Sequence, residues 1–243
     1  MKILVCIKQV GDEGQMNRFD AHALEEALLI KERLAAQSAE PVTIAVLTVG
    51  PKAAADVIRR AFGLGADAGF HIVTEETEYT PSLATANRLT AVARQTQYDL
   101  ILTGIMSTDM MAAQTGPMLA RILEIPCATG VVKTRLKLEE NCVEVERELE
   151  NGRCDLLEID LPALLTIQAG INTPRYPRLS NMLAAGQKEI TKIPAGTLTQ
   201  IPEQEKCIGW EEPEKTRAGR RLEGSLSDKA EQLFAILKEK DLL

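Results

Sequence analysis

The feature that most constrains this chain is a set of short apolar runs without polar alternation, each followed by a segment of helical spacing. Ile3 to Ile7, Val42 to Val49 and Asp99-Leu100-Ile101-Leu102-Thr103-Gly104 read as strands buried on both sides. Asp20 is expected to cap the first helix, whose Leu24, Ala27, Leu28 and Leu34 share one face. Gly50-Pro51 stops the second strand, Pro51 suits the first turn of a helix running to Leu64, and Gly65 ends that helix. Phe70 to Val73 reads as a short third strand. Thr80-Pro81 starts a helix through Leu83, Ala86, Leu89 and Val92, and Pro117 to Leu123 carries a further one. Buried strands joined by helices imply an α/β fold with a mostly parallel, doubly wound sheet.

After Pro126 the texture changes. Ala128 to Leu138, Cys142 to Leu149, Cys154 to Ile159 and Ala163 to Gln168 are strand-like runs separated by Glu-Asn and Glu-Asn-Gly turn signals, so added β-hairpins are expected to extend or flank the sheet. From Asn172 to about Arg221 the chain is rich in Pro, Gly and charge and reads as an extended arm. It ends in a helix with Leu226, Ala230, Leu233, Phe234 and Leu237 on one face, after Ser225 and Ser227 as candidate caps. Such a stripe needs cover, and another subunit is its expected source. The division expected is an α/β domain over residues 1–190 and a C-terminal arm with its helix over 191–243, packing on a partner subunit.

Charge and composition narrow the partners. The 243 residues carry a net charge of -7 and only 3% aromatics, the wrong sign for a phosphate-backbone binder and too few rings for base stacking. No nucleic acid is expected, and no membrane insertion, because no run reaches the ~18 uncharged apolar residues a spanning helix needs. The start of the chain has no cleavage region of a signal peptide, which points to a cytoplasmic protein. Cys6, Cys127, Cys142, Cys154 and Cys207 are odd in number and lack a C-x-x-C pair, consistent with reduced packing thiols and no metal site.

A catalytic set is not evident. The two histidines, His22 and His71, read as one surface and one core residue without an H-E-x-x-H pattern. There is no G-x-S-x-G elbow, and Glu25-Glu26, Glu139-Glu140 and Glu211-Glu212 are adjacent pairs whose side chains diverge. Gly63-Leu64-Gly65-Ala66-Asp67 closes a helix instead of joining a strand to one, so it is no dinucleotide fingerprint. More informative is Gly104 to Pro117, which leaves the carboxyl end of the fourth strand and enters a helix. That edge binds ligands in open parallel sheets, and a helix N-terminus offers free N–H groups to a phosphate. Ser107, Thr108, Gln114 and Thr115 add donors; the bland alternative is a plain βα loop. Two further segments stand out: Gln15 to Ala27, entering the first helix, and Ile171 to Leu179, held extended by Pro174 and Pro177 and suited either to docking or to linking.

Together these segments resemble the beta subunit of an electron transfer flavoprotein. The resemblance runs from Lys2 to about Lys192: Lys8-Gln9-Val10, Met16-Asn17-Arg18-Phe19-Asp20, Ala23-Leu24-Glu25-Glu26-Ala27, Val49-Gly50-Pro51 and Gly65-Ala66-Asp67 come in order. Asp99 to Gly104, the Asp109 to Pro117 loop, Val145 to Gly152, Leu161-Pro162-Ala163 and Asn172-Thr173-Pro174-Arg175-Tyr176 follow. The resemblance implies an adenine-nucleotide-binding, Rossmann-like fold and a heterodimer. Its alpha subunit would hold the redox-active FAD near the interface, while this chain would bury AMP in a structural role and act as an electron carrier without catalysis of its own.

By position, AMP would contact Cys6, Asn17, Arg18, Phe19, Asp20 and Val49, and in the strand-end loop Gly104, Ser107, Asp109, Ala113, Gln114 and Thr115. Glu148 matches a position facing the alpha subunit's flavin domain. Arg175, Tyr176 and Leu179 belong to the segment that recognises a partner dehydrogenase. Departures are local. Only Gly11 to Met16 separate the first two blocks, Arg18 stands where a proline is usual, and the lysine-rich stretch after the recognition segment is thinned to Ala184-Ala185-Gly186-Gln187-Lys188. Relatives that split electron pairs carry an Asp-Gly-Asp-Thr-like loop and bind a second FAD and NADH; Asp109-Met110-Met111-Ala112 differs from it, which favours AMP. A stand-alone stress-type ATP-binding protein of similar fold would be a homodimer, and the long arm speaks against that.

Overall fold

The computed structural model describes residues 1–11, 14–37, 41–75, 80–199, 208–209, 211, 219 and 221–242. Cys207 and most of the expected arm beyond residue 199 lie outside the described residues. The chain divides into two units, Met1–Lys206 and Cys207–Leu243.

In the first unit, β1 (Lys2–Cys6) leads through a small antiparallel hairpin, β2 (Gln9–Val10) and β3 (Gln15–Met16), into α1 (Arg18–Ala36). Next come β4 (Thr43–Gly50), α2 (Ala55–Leu64), β5 (Ala68–Val73), α3 (Ser82–Ala93), β6 (Leu100–Gly104) and α4 (Thr115–Leu123). They are followed by β7 (Cys127–Lys137), β8 (Cys142–Glu148), β9 (Cys154–Asp160), β10 (Ala163–Ile167), α5 (Leu179–Ala185) and β11 (Thr191–Pro194). The strands form one nine-stranded sheet in the order β11-β5-β4-β1-β6-β10-β7-β8-β9. Every pairing from β11 to β7 is parallel, and β8 and β9 add antiparallel to that edge.

The uncharged strands are explained by cover on both faces. Ile3 and Val5 join the cluster that takes in Leu24 and Ala27 of α1 and Val57 and Ile58 of α2. Leu4 and Cys6 point the other way, into the cluster of Ala86 and Leu89 of α3 and Leu119 of α4. Side chains alternate along a strand, so a strand that is apolar at every position must have a helix layer on each side. Each fully buried Ile or Leu contributes about 1.5–3 kcal/mol. Gly65 ends α2 with φ of 126°, as the sequence implies. Among the described residues, no helix is long and apolar enough to cross a membrane.

Four expectations change. Ala163–Ile167 is no hairpin strand: all five residues are buried, and β10 inserts in parallel between β6 and β7. The expected boundary at residue 190 falls before β11, which pairs with β5, and the arm's first part also holds α5. His22 is buried, not superficial. Asp20 does not cap α1. Asn17 occupies the N-cap position, and the Asp20 carboxylate leaves the helix end to accept from Lys8 N at 2.7 Å and Gly104 N at 3.0 Å. The second unit holds α6 (Leu226–Glu239), capped by Ser225 in a reciprocal bond pair with Asp228, and no residue of that helix is buried.

A Cβ built on Gly104 would lie 2.4 Å from Asp20 Oδ1 and 2.8 Å from the Phe19 carbonyl carbon, so α1 rests directly on the end of β6. Because backbone cannot move aside as a side chain can, Gly104→Ala should cost about 1–3 kcal/mol, measured as a lower urea midpoint with unchanged slope.

Candidate functional site

The strand order sets where a crevice opens. From β1 the chain moves outward to β4 and β5, then α3 carries it back to β6 on the opposite flank of β1. Connections leaving the paired ends of β1 and β6, with Cys6 beside Thr103, therefore diverge: α1 packs on one face and α4 on the other. Such a switch point is where open α/β sheets bind ligands, outside the carboxyl ends of the strands.

A cavity of about 460 Å³ lies there. Asp20 forms part of its floor, and by accepting from Lys8 and Gly104 it holds the two strand exits together. Burial raises its pKa to about 7, against the opposing pull of the Lys8 and Gly104 amides, the Asn17 side chain and the Lys8 charge. Asn17, 1% exposed, pins the far wall, donating from Nδ2 to Met106 O at 2.8 Å and accepting at Oδ1 from Thr108 N at 3.2 Å. Lys8 Nζ reaches both carboxylate oxygens of Asp109, at 2.8 and 2.7 Å, and lies 3.4 Å from Ser107 Oγ. Although partial burial works against it, this contact with Lys8 and a bond from Ser107 hold the Asp109 carboxyl below its usual range.

The loop then turns through two left-handed residues, Met111 (φ 52°) and Ala113 (φ 55°), before α4 begins. The first bond across the entry to α4 is donated by Met118 N to Gln114 O, so the amides of Gln114, Thr115 and Gly116 precede the helical ladder, and all three residues line the cavity. A Cβ on Gly116 would meet Thr166 Cγ2 at 2.7 Å and Thr103 Oγ1 at 2.9 Å, which seats this end of the helix against the sheet. Gln9 also lines the cavity, and its Oε1 is buried without a hydrogen-bond donor. The arrangement suits an anion at the α4 terminus. Burial, with the Asp20 charge adding, pushes the Cys6 thiol far above its ordinary value, so it is a wall and no nucleophile.

Of the residues singled out from sequence, Cys6, Asn17, Asp20, Val49, Gly104, Ser107, Asp109, Ala113, Gln114 and Thr115 line this cavity. Arg18 and Phe19 do not. Successive helical residues rotate by ~100°, so Asn17 and Asp20 share the cavity face of α1 while the two between them turn away: Arg18 is exposed and Phe19 packs on Gly104. Lys8, Gln9, Thr80 and Ser82 also line the cavity and were not identified as site residues; their signal is that they follow β1 and β5 at the same carboxyl edge.

The segment after β10 lies elsewhere. Tyr176 (87% exposed), Leu179 (78%) and Leu183 (70%) form an outward apolar group, the last two one turn apart on α5. The inner face of α5 is fixed on α2: a Cβ on Gly63 would lie 2.3 Å from Met182 Sδ, and Arg59 donates to Gly186 O at 3.0 Å. Arg175, its side chain 35% exposed, has its guanidinium held by Glu25 at 2.8 Å and by Glu32 at 2.5 Å. Glu148 is exposed at the end of β8 and accepts from Gln168 Nε2 at 3.2 Å. Among the described residues one metal-ligand trio, Glu140, Cys142 and Glu158, gathers within 4.8 Å, but the Lys137 ammonium pairs with both carboxylates.

Comparison with known proteins adds the following. A family model described as "Electron transfer flavoprotein domain" matches residues 4–198. A protein named "Electron transfer flavoprotein subunit beta" from Methylophilus methylotrophus is 31% identical, with 98% of this chain and 98% of that protein covered. The proteins of the same name from Thermoanaerobacterium thermosaccharolyticum and Bos taurus are 29% and 33% identical, covering 100% and 94% of this chain and 100% and 86% of those proteins.

Asp20 yields a measurable outcome. An unfolded aspartate titrates near ~3.9, so the native state holds this proton more tightly, and the group lowers stability as pH rises from about 4 to about 7. Asp20→Asn should remove that part of the pH slope. It should also cost about 1–3 kcal/mol, because an amide nitrogen would face a backbone donor. Urea titrations of both forms at about pH 5 and about pH 8 read the two effects.

Proposed function

The chain belongs to the electron transfer flavoprotein family, among its beta subunits, and on that premise we propose that it is the AMP-holding half of a heterodimeric electron carrier. In this reading an alpha subunit carries FAD, which supplies the redox chemistry when bound. This chain binds AMP structurally, supports the flavin domain near Glu148, and docks a partner dehydrogenase through Tyr176 and Leu179. It has no catalysis of its own and resides in the cytoplasm.

The observation that carries the nucleotide part is the coincidence of the β1–β6 switch point with a donor-rich helix start. A phosphate dianion is matched by the Gln114, Thr115 and Gly116 amides, aligned with the positive end of α4. The Lys8 ammonium stands at the same rim but is shared with Asp109, so the helix end is the stronger anion holder. The cavity, about 460 Å³, falls within the ~300–1,000 Å³ typical of small-molecule sites. Asn17 and Asp20 brace the walls rather than compete for the ligand, since their polar atoms already serve the loop and the strand ends.

Denaturing the purified heterodimer should release AMP in near-equal ratio to protein. Thr115→Glu, which sets a carboxylate against the phosphate, should cut that ratio severalfold. Two flavins per heterodimer and no AMP would instead make this the electron-bifurcating type, with a second FAD and NADH.

The exposed stripe of α6, with Leu226, Leu233 and Phe234, is covered by the alpha subunit in this reading. Covering each large apolar side chain is worth about 1.5–3 kcal/mol, so deletion from Leu222 onward should weaken the heterodimer by several orders of magnitude. Sedimentation at graded concentrations checks this, and undiminished assembly would show the helix to be dispensable.

A further inference from the structure

We infer that the buried carboxylates of α1, Glu25 foremost, are positioning residues for the docking surface, acting through Arg175. The inference rests on the reading of Tyr176 and Leu179 as that surface. His22, Glu25 and Glu26 are 8%, 5% and 4% exposed, on a helix whose other buried positions are mainly apolar. Buried polar groups persist only where partners satisfy them, and a buried carboxylate without one costs several kcal/mol. Here many of the partners come from a single short stretch far away in sequence. Asn172 Nδ2 donates to Glu26 Oε2 and to His22 O, each at 3.1 Å, and Asn172 Oδ1 faces His22 Nδ1 at 3.1 Å. The Arg175 amide donates to Glu25 Oε2 at 3.1 Å, while its guanidinium spans both Glu25 oxygens at 2.8–3.0 Å and forks onward to Glu32.

The next residue in the chain, Tyr176, is the most exposed aromatic described, and Leu179 follows after Pro177. On the far side the chain is anchored again by Met182 against Gly63 and by Arg59 on Gly186 O. The apolar group is thus suspended between two anchors, one ionic and one packed. An apolar tip gains binding energy only in the pocket it meets, and a loose segment would lose much of that gain to ordering entropy. The Arg175 guanidinium is engaged by Glu25 and Glu32, and its work is to hold the segment that docks.

The test uses the full heterodimer with its electron-donating dehydrogenase, together with hydrogen exchange on residues 172–186. Arg175→Met should speed exchange of that stretch at least tenfold and raise the KM for the dehydrogenase about 5–50-fold. The kcat, the AMP content and the flavin absorbance should not change, and Arg175→Lys, which keeps the charge but not the fork, should recover part of the KM. Because Arg175→Met strands a buried carboxylate, Glu25→Leu/Arg175→Met serves as the second variant; it leaves Glu25 apolar and should show the same rise in KM. Unchanged exchange and KM in Arg175→Met, or loss of AMP and flavin along with docking, overturns the inference. Leu179→Ala separates the two claims. If it leaves KM unaltered, the docking reading fails and the inference with it; if it raises KM while Arg175→Met does not, the inference alone fails.

Discussion

The structure turns on one carboxylate. Asp20 accepts from the amides of Lys8 and Gly104, and so fastens together the ends of two neighbouring strands whose chains depart to opposite faces. That link continues the β1–β6 pairing past Cys6 and Thr103 and fixes part of the floor of the cavity between the two exits. The same contact explains why residue 104 carries no side chain, since Phe19 and Asp20 occupy the space one would need. It also accounts for the burial of a charge at a switch point. Burial outweighs the two backbone donors, so the carboxyl is pushed up to about 7.

The second fixed part is the loop from Ile105 to Gln114. Asn17 holds its near end by paired bonds to Met106 and Thr108, and the Lys8–Asp109 pair holds its middle. Met111 and Ala113 take left-handed backbone that non-glycine residues adopt at a cost, which the surrounding bonds sustain. Holding the loop this way leaves the first amides of α4 outside the helical ladder, at residues that line the cavity. In the proposed electron carrier these are the donors a nucleotide phosphate would meet, and no side chain near them has to move a proton.

Much of the sheet is legible because its central strands are buried on two sides and so are mainly apolar, with polar residues limited to a few such as Thr48, Thr103 and Thr166. Ala163 to Gln168 reads in sequence as a hairpin strand, for a parallel insertion and a hairpin strand have the same local composition. Asp20 reads as a cap because a first-turn aspartate and an N-cap look alike when strand ends cannot be seen beside them. The loop after β6 was recognisable from the carboxyl-edge rule, and the rest of the cavity followed the same edge less visibly. Arg18 and Phe19 were included because a resemblance transfers blocks of sequence, whereas a helix presents only one face. Nothing local to Arg175 announced that Glu25 and Glu32 receive it, since the contact joins segments about 150 residues apart in sequence.

One helix serves both places. Its first turn carries Asn17 and Asp20 to the cavity, and its later turns carry Glu25 and Glu32 to the segment bearing Leu179. A helix has a fixed phase: one residue inserted between Asp20 and Glu25 would rotate everything after it by ~100°. Glu25 would then face away from Arg175 while Asp20 stayed in place, so the spacing between these two acids is a gauge shared by both sites. A change of length in a connecting loop leaves both acids where they are, whereas the number of residues from Asp20 to Glu25 sets the phase of one site against the other.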